Sequence, residues 1–222
     1  MSKLLIKPAN NVGKIHDISP EKAGWGYVGF DLYLLEEGQS IKQETFDREI
    51  ILVLVEGHAE IIADGKKFGV LGNRLDVFEK SPPHCVYVSS ETNWSVYTTT
   101  KCTLAVCSAP CTKKYEAMQI GPTEIELTAR GKGNNTRYIN NIAMEDQDVA
   151  SSLLVTEVFT PSGHWSSYPP HRHDEDDFPN MTYLEETYYH RLNPTKGYGH
   201  QRVFTEDGSL DETMTVENHD VV

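Results

Sequence analysis

His171-Arg172-His173 places two imidazoles at i and i+2, and Glu185 and Glu186 follow within fifteen residues. In an extended chain i and i+2 project to one face, so both imidazoles can bind one ion while Arg172 points away. Pro169-Pro170 stiffens the approach to this pair. A third ligand must come from the neighbouring strand, where Leu184-Glu-Glu-Thr-Tyr-Tyr-His190 supplies a carboxylate. If Tyr188 and Glu186 share the inward face, Glu185 and Thr187 face outward, which favours Glu186 as the ligand. An isolated His-X-His is also compatible with a plain surface strand, and the Glu-bearing segment is what tips the balance towards a metal. Six of the nine His lie in the last 62 residues, together with twelve acids and four bases, a local net charge of −8. Carboxylates and imidazoles concentrated in this way suit a divalent cation. The neighbouring run Asp174-Glu-Asp-Asp177 lacks the spaced ligands and glycine of a calcium loop and reads as solvated.

The elements that must position these groups are short strands. Gly29–Leu35 alternates apolar and polar residues, and Glu49–Val55 (EIILVLV) is a continuous buried run. A return strand over His58–Ala63 leads through the hairpin dipeptide Asp64-Gly65 to Lys66–Val70. Further strands are expected at Leu75–Phe78, Cys85–Ser89, Trp94–Thr99 and Thr103–Ser108. The polar stretch Gly131–Asn141 reads as a linker or connecting loop. Beyond it come Ser152–Phe159, Pro169–His173, Met181–Arg191, Gly199–Phe204 and Glu212–Val216. Turn signals every eight to twelve residues indicate an all-β barrel or sandwich.

Composition removes several functional classes. The chain has 222 residues, with 20 basic and 33 acidic side chains and a formal net charge of −13. A phosphate-backbone binder needs a basic face, and the Lys and Arg here are scattered, so nucleic acid is excluded as a partner. No stretch approaches the roughly 20 apolar residues of a membrane span. Lys3 and Lys7 interrupt any apolar signal core near the amino terminus, so a cytoplasmic location is the expectation. Cys85, Cys102, Cys107 and Cys111 lack zinc-knuckle spacing and are expected as reduced, buried or half-buried strand thiols.

The metal pattern resembles the cupin superfamily, in which a His-X-His pair is followed by a Glu and by a further His across a barrel. The resemblance sharpens in Gly163-His-Trp-Ser-Ser-Tyr-Pro-Pro-His-Arg-His-Asp174, Leu184-Glu-Glu-Thr-Tyr-Tyr-His-Arg191, Gly197-Tyr-Gly-His-Gln-Arg-Val-Phe204 and Gly24-Trp-Gly-Tyr-Val-Gly-Phe30. These segments, spread along the whole chain, are similar to the 5-deoxy-glucuronate isomerases of myo-inositol catabolism. The resemblance implies an all-β, two-cupin chain: residues 1–125 as a degenerate first cupin and residues 126–222 as the metal-binding second. It implies a divalent metal, zinc before manganese or iron, on His171, His173 and Glu186. It also implies a homo-oligomer. The first half has no His-X-His before Glu49, and its lone His84 is expected to be packed or hydrogen-bonded rather than a ligand. Aligning Leu71–Phe78 with Thr215–Val222 matches Asp76 to Asp220 and places a fourth ligand near position 228. His219 is a poor substitute, and a second barrel incomplete at its last strands is therefore expected.

The activity implied is conversion of the aldose 5-deoxy-D-glucuronate, a small anionic sugar acid, to the ketose 5-dehydro-2-deoxy-D-gluconate. Moving hydrogen between C1 and C2 needs a Lewis acid for the enediolate charge and a base for the C2 proton. His190, His200, Tyr188 and, if it is not a ligand, Glu185 are the candidates for proton transfer, each also readable as a hydrogen-bond partner. Arg191 and Arg202 can clamp the substrate carboxylate, with ordinary salt bridging to nearby acids as the competing reading. Two rival functions use the same residues: an iron-dependent cupin dioxygenase and a non-catalytic sugar-binding cupin.

Overall fold

The computed structural model describes residues 2–167 and 171–222. Among them the strands of the first half are β1 (Gly13–Ile18), β2 (Gly29–Leu35), β3 (Ser40–Glu44), β4 (Arg48–Glu56), β5 (Ala59–Ala63), β6 (Lys66–Leu71), β7 (His84–Val88), β8 (Asn93–Thr98), β9 (Cys102–Pro110) and β10 (Met118–Ile120). The second half contributes β11 (Glu126–Arg130), β12 (Arg137–Ala143), β13 (Val155–Phe159), β14 (Gly199–Phe204) and β15 (Asp211–Val216). Among the described residues helix is limited to one turn at Pro20–Ala23 and two 3-10 turns at Val77–Glu79 and Gly133–Asn135. No helix among the described residues is long and apolar enough to cross a membrane.

A six-stranded sheet, ordered β1-β2-β9-β4-β7-β10, faces a four-stranded sheet ordered β3-β8-β5-β6. Strand β4 explains the uninterrupted apolar run in the sequence. Side chains alternate across a strand, and Ile50, Leu52 and Leu54 pack with Ile61, Trp94 and Val96 in the space between the two sheets. Ile51, Val53 and Val55 point the other way and pack with Ile125 and with Ile142, Leu153 and Val221 of the second half. The large sheet is thus covered on both faces, and one hydrophobic cluster runs across the junction of the halves.

Polar groups tie the same junction. Glu49, fully buried, accepts hydrogen bonds from the backbone N–H groups of Ser151, Ser152 and Leu153 and from the hydroxyls of Ser151 and Tyr87. Buried Arg74 donates bidentately to Glu157 on β13, at 2.9 and 2.5 Å. Asn140 Nδ2 donates to the same carboxylate.

The second half holds a three-stranded sheet ordered β11-β12-β13 and the hairpin β14-β15. Several elements differ from expectation. Leu75–Phe78 does not form a strand: Asp76 accepts the Phe78 N–H, and Glu79 reaches back to the Asp76 N–H, a reciprocal cap that closes a 3-10 turn. Gly131–Asn141 is not simply a loop, because Arg137–Ala143 is the central strand β12. The Nδ2 groups of buried Asn140 and Asn141 donate to Glu157 and Thr128, so polarity there marks a hydrogen-bonded interior rather than solvent. Residues 171–173 and 181–192 are not regular strands. They are held instead by pairwise bonds: Leu184 N–H to His173 O, Tyr188 with Val222 in both directions, and His190 with Asp220 and His219. The stiffening assigned to Pro169-Pro170 lies outside the described residues. All four cysteines are free, with Cys85 and Cys102 buried and Cys107 and Cys111 half-buried.

Candidate metal centre and its surroundings

His171, His173 and Glu186 converge, with one ligand atom from each lying within 4.8 Å of the others. His171 Nε2 is 3.2 Å and His173 Nε2 4.0 Å from the same oxygen, Glu186 Oε1. The two rings stand nearly edge to face, 4.9 Å between centroids. His173 Nδ1–H donates to the Thr182 carbonyl at 3.0 Å, which fixes the tautomer and leaves the Nε2 lone pair directed at the cluster. Glu186 Oε2 accepts from the Tyr188 hydroxyl at 2.9 Å, which leaves Oε1 facing the imidazoles. Two imidazole nitrogens and a carboxylate oxygen form a donor set that fits a divalent transition ion with open positions. The donor set and its supporting bonds are therefore compatible with the implied metal.

The electrostatics agree. Burial works against ionising Glu186, but hydrogen bonds from His171 and Tyr188 and the nearby imidazoles hold its pKa below the usual carboxylate value. The hydrogen bond to Glu186 raises His171 against the effect of burial. Tyr188 is raised by burial and by the Glu186 charge, so its hydroxyl stays protonated and keeps donating.

The choice between adjacent glutamates is visible in their partners. Glu185 turns away and accepts the backbone N–H groups of Gly26, Tyr27 and Val28 at 2.7, 2.7 and 3.0 Å. That carboxylate organises a loop of the first half rather than the metal cluster. Parity along the chain continues: Tyr189 packs into the core between the halves, and Arg191 Nη2 meets Glu56 at 2.8 Å in that same junction. Glu186 and Tyr188 face the opposite way, and so does His190 by the period of two. His190 Nε2–H donates to Gln201 Oε1 at 3.0 Å, and burial lowers the pKa of this imidazole.

The remaining expected site residues lie elsewhere. His200 is on the exposed face of β14 with Arg202 and Phe204, opposite to Gln201, and stands beside Tyr198. Arg202 is exposed, paired bidentately with Asp211 at 2.7 and 2.8 Å and stacked over Phe204. Arg191 is committed to Glu56 and Asn218. Ordinary salt bridging is thus what both arginines do, because acids on adjoining segments reach them first. His84 accepts the Gly72 N–H through Nδ1, the hydrogen-bonded role expected of it. His219 accepts from the Tyr189 hydroxyl at 2.7 Å, away from the cluster. Arg172 pairs with Asp174 and Glu175, so part of the acidic run has a local partner.

Residues 4–222 match the model of the KduI/IolB family. The chain is 49% identical to a 5-deoxy-glucuronate isomerase of Geobacillus kaustophilus (strain HTA426), over 100% of this chain and 81% of that protein. It is 39% identical to the protein of the same name from Bacillus subtilis (strain 168), of which it spans 84%. Among solved structures, an IolB-like protein from Salmonella typhimurium LT2 superposes with a TM-score of 0.97 at 46% identity, covering 100% of this chain and 84% of that one. The oxalate decarboxylase of Lactobacillus farciminis, at 10% identity and a TM-score of 0.60, shares the fold alone, which is the all-β cupin type. With nearly the whole sequence matched and close relatives on both sides of the comparison, the chain belongs to the KduI/IolB family.

Proposed function

We propose that the chain is a metal-dependent aldose–ketose isomerase that converts 5-deoxy-D-glucuronate to 5-dehydro-2-deoxy-D-gluconate in myo-inositol catabolism. The observation that carries this reading is the convergence of His171, His173 and Glu186 in a chain 49% identical to a 5-deoxy-glucuronate isomerase. His171, His173 and Glu186 would hold the ion, zinc in preference to manganese or iron. A divalent ion there supplies a Lewis acid for negative charge on the sugar oxygens as the C2 proton leaves. The halves are read as two cupins divided near residue 125, with the reactive site in the second.

The chain's own residues then divide the remaining work. Thr182 and Tyr188 orient His173 and Glu186 through the bonds described above. His190 is the base we assign to the C2 proton. Burial keeps its imidazole neutral, and the bond from Nε2 to Gln201 leaves Nδ1 as the free acceptor. The proton it accepts at Nδ1 is the one delivered to C1, while the O2–H proton passes to O1, so the aldehyde becomes the C1 alcohol and C2 the ketone. Tyr188, held protonated, serves as a donor and not as the base.

The test is direct. Purified protein reconstituted in turn with zinc, manganese and iron(II) is incubated with 5-deoxy-D-glucuronate, and ketose formation is followed by NMR. Conversion by at least one metal form, lost in His171→Ala and Glu186→Gln, is expected. Absence of conversion in all three forms refutes the isomerase reading. Oxygen uptake with the iron form would favour the dioxygenase alternative.

A further inference from the structure

An anionic sugar needs a positive partner near the His171, His173 and Glu186 cluster; Arg202 is paired with Asp211, and Arg191 with Glu56, although its Nη1 is also buried without a partner. The three-stranded sheet holds two arginines in a different condition. The β11–β12 register sets Arg130 directly opposite Arg137. Residues so paired lie on one face with Cβ atoms roughly 4.5–5.5 Å apart, and like charges there repel. Among the described residues neither guanidinium has a carboxylate partner. Arg130 Nη2 donates to Asn141 Oδ1 at 3.3 Å and Arg137 Nη1 to the Asn135 carbonyl at 3.2 Å. Arg137 Nε is buried with no hydrogen-bond partner. A buried N–H donor without an acceptor is costly, and two facing cations add to that cost.

The position of the pair relates it to the metal cluster. Asn140 and Glu157 on the opposite face of this sheet bond towards Arg74 and the first half. The pair shares the other face with Thr128, Ile139 and Asn141. The segment leading from β13 to His171 is stitched to the entrance of β12: Trp165 N–H donates to the Asn134 carbonyl, and His164 Nδ1–H to that of Thr136, both at 2.8 Å.

We propose that Arg130 and Arg137 form the subsite that binds the substrate's carboxylate beside the His171, His173 and Glu186 cluster. This rests on the sugar-acid reading above and names the residues that make the site selective for an acid over a neutral aldose. A carboxylate between the guanidiniums accepts the unused Arg137 Nε–H together with a second N–H in the bidentate geometry Arg favours, and it relieves the repulsion across the strands. Arg137, with its buried Nε, is the stronger contact; exposed Arg130 adds a weaker, screened one.

The experiment measures binding of D-glucuronate and of neutral D-glucose to the metal-free and metal-loaded protein by calorimetry, and kcat and KM for 5-deoxy-D-glucuronate. Arg137→Met is expected to weaken D-glucuronate binding roughly 10- to 100-fold and to raise KM similarly, because an ionic hydrogen-bonded contact is removed. Arg137→Lys should recover part of the loss, and D-glucose binding should not change. Arg130→Met should weaken D-glucuronate binding a few-fold while leaving the melting temperature unchanged or higher, since repulsion is relieved. A structural role would instead lower the melting temperature without discriminating acid from neutral sugar. Equal D-glucuronate affinity in wild type and folded Arg137→Met overturns the proposal, as does failure of the wild type to bind D-glucuronate in both forms. Arg137-dependent binding without isomerisation would sink the isomerase reading and leave the subsite standing.

Discussion

Replacing Glu49 by glutamine tests the joint between the halves. The carboxylate is fully buried, and its Oε1 accepts the N–H groups of Ser152 at 2.6 Å and Leu153 at 2.9 Å. Oε2 accepts the hydroxyls of Ser151 and Tyr87 at 2.8 and 3.0 Å, and the Ser151 N–H is shared between Oε2 at 2.9 Å and Oε1 at 3.1 Å. Glutamine keeps one acceptor oxygen. Its best placement leaves that oxygen on Ser152 and Leu153, while the new NH2 meets the hydroxyls, which can rotate to accept, and the Ser151 N–H, which cannot. The Ser151 N–H loses its shorter bond and keeps only the 3.1 Å one to Oε1 while facing the new NH2, at about 1–2 kcal/mol, and loss of charge assistance on two further bonds costs roughly 1 kcal/mol each. Relief of the buried charge offsets part of this. A net loss of about 2–4 kcal/mol remains, equivalent to a melting-temperature drop of roughly 5–15 °C for a chain of this size. Thermal and urea unfolding followed by circular dichroism read it, with an unchanged urea slope confirming that the folded state is otherwise intact. A drop below about 2 °C would refute the reasoning, because it would mean that water or local rearrangement satisfies Ser151–Leu153 without the carboxylate.

Other outcomes follow from the site and its supports. Tyr188→Phe removes the donor on Glu186 Oε2 and should weaken metal affinity about tenfold, measured by competition with a chelator. Glu185→Gln should retain stoichiometric metal yet make the loop at 26–28 more open to proteolysis, since it disturbs the acceptor of three backbone N–H donors; loss of metal in that variant would contradict the assignment of Glu186. Acid should destabilise the fold well above the carboxylate range. His219 is pushed down to about 4, mainly by burial and then by the Arg191 charge, and burial also lowers His16. Between about pH 6.5 and 4 the unfolded chain binds protons that folded His219 refuses, so stability is full above 6.5 and falls as pH drops towards 4. Urea midpoints across this range measure the loss, and a smaller slope in His219→Gln identifies its source. Arg191→Met strands Glu56, whose pKa is held down against burial by that guanidinium, and should cost about 2–4 kcal/mol by urea unfolding.

The all-β class and most strands of the first half were legible because they are written in local periods. Gly29–Leu35 and Gly199–Phe204 are read to the residue, since alternation and turn chemistry act within a few positions. The run Glu49–Val55 announces a strand covered on both faces, and β4 is one. What fails is whatever depends on partners distant in sequence. Asn140 and Asn141 look like loop residues until Glu157 and Thr128 accept their side-chain N–H groups inside a sheet. The segments around His171 and Tyr188 look like strands, yet they find only isolated pairings instead of a ladder.

The sequence alone marked two imidazoles and a glutamate two positions before a tyrosine as candidates for one ion, because residue type and spacing suffice for that. Only the tertiary structure decided the use of each remaining charged group. Glu185 goes to a loop 157–159 residues away in sequence, Arg191 to Glu56, and Arg202 to Asp211. It also sets Arg130 against Arg137 with no acid between them. The physical reason is that a charge takes whichever counter-charge the folded chain brings nearest, and that neighbour is set by long-range strand register and packing rather than by anything adjacent in the chain.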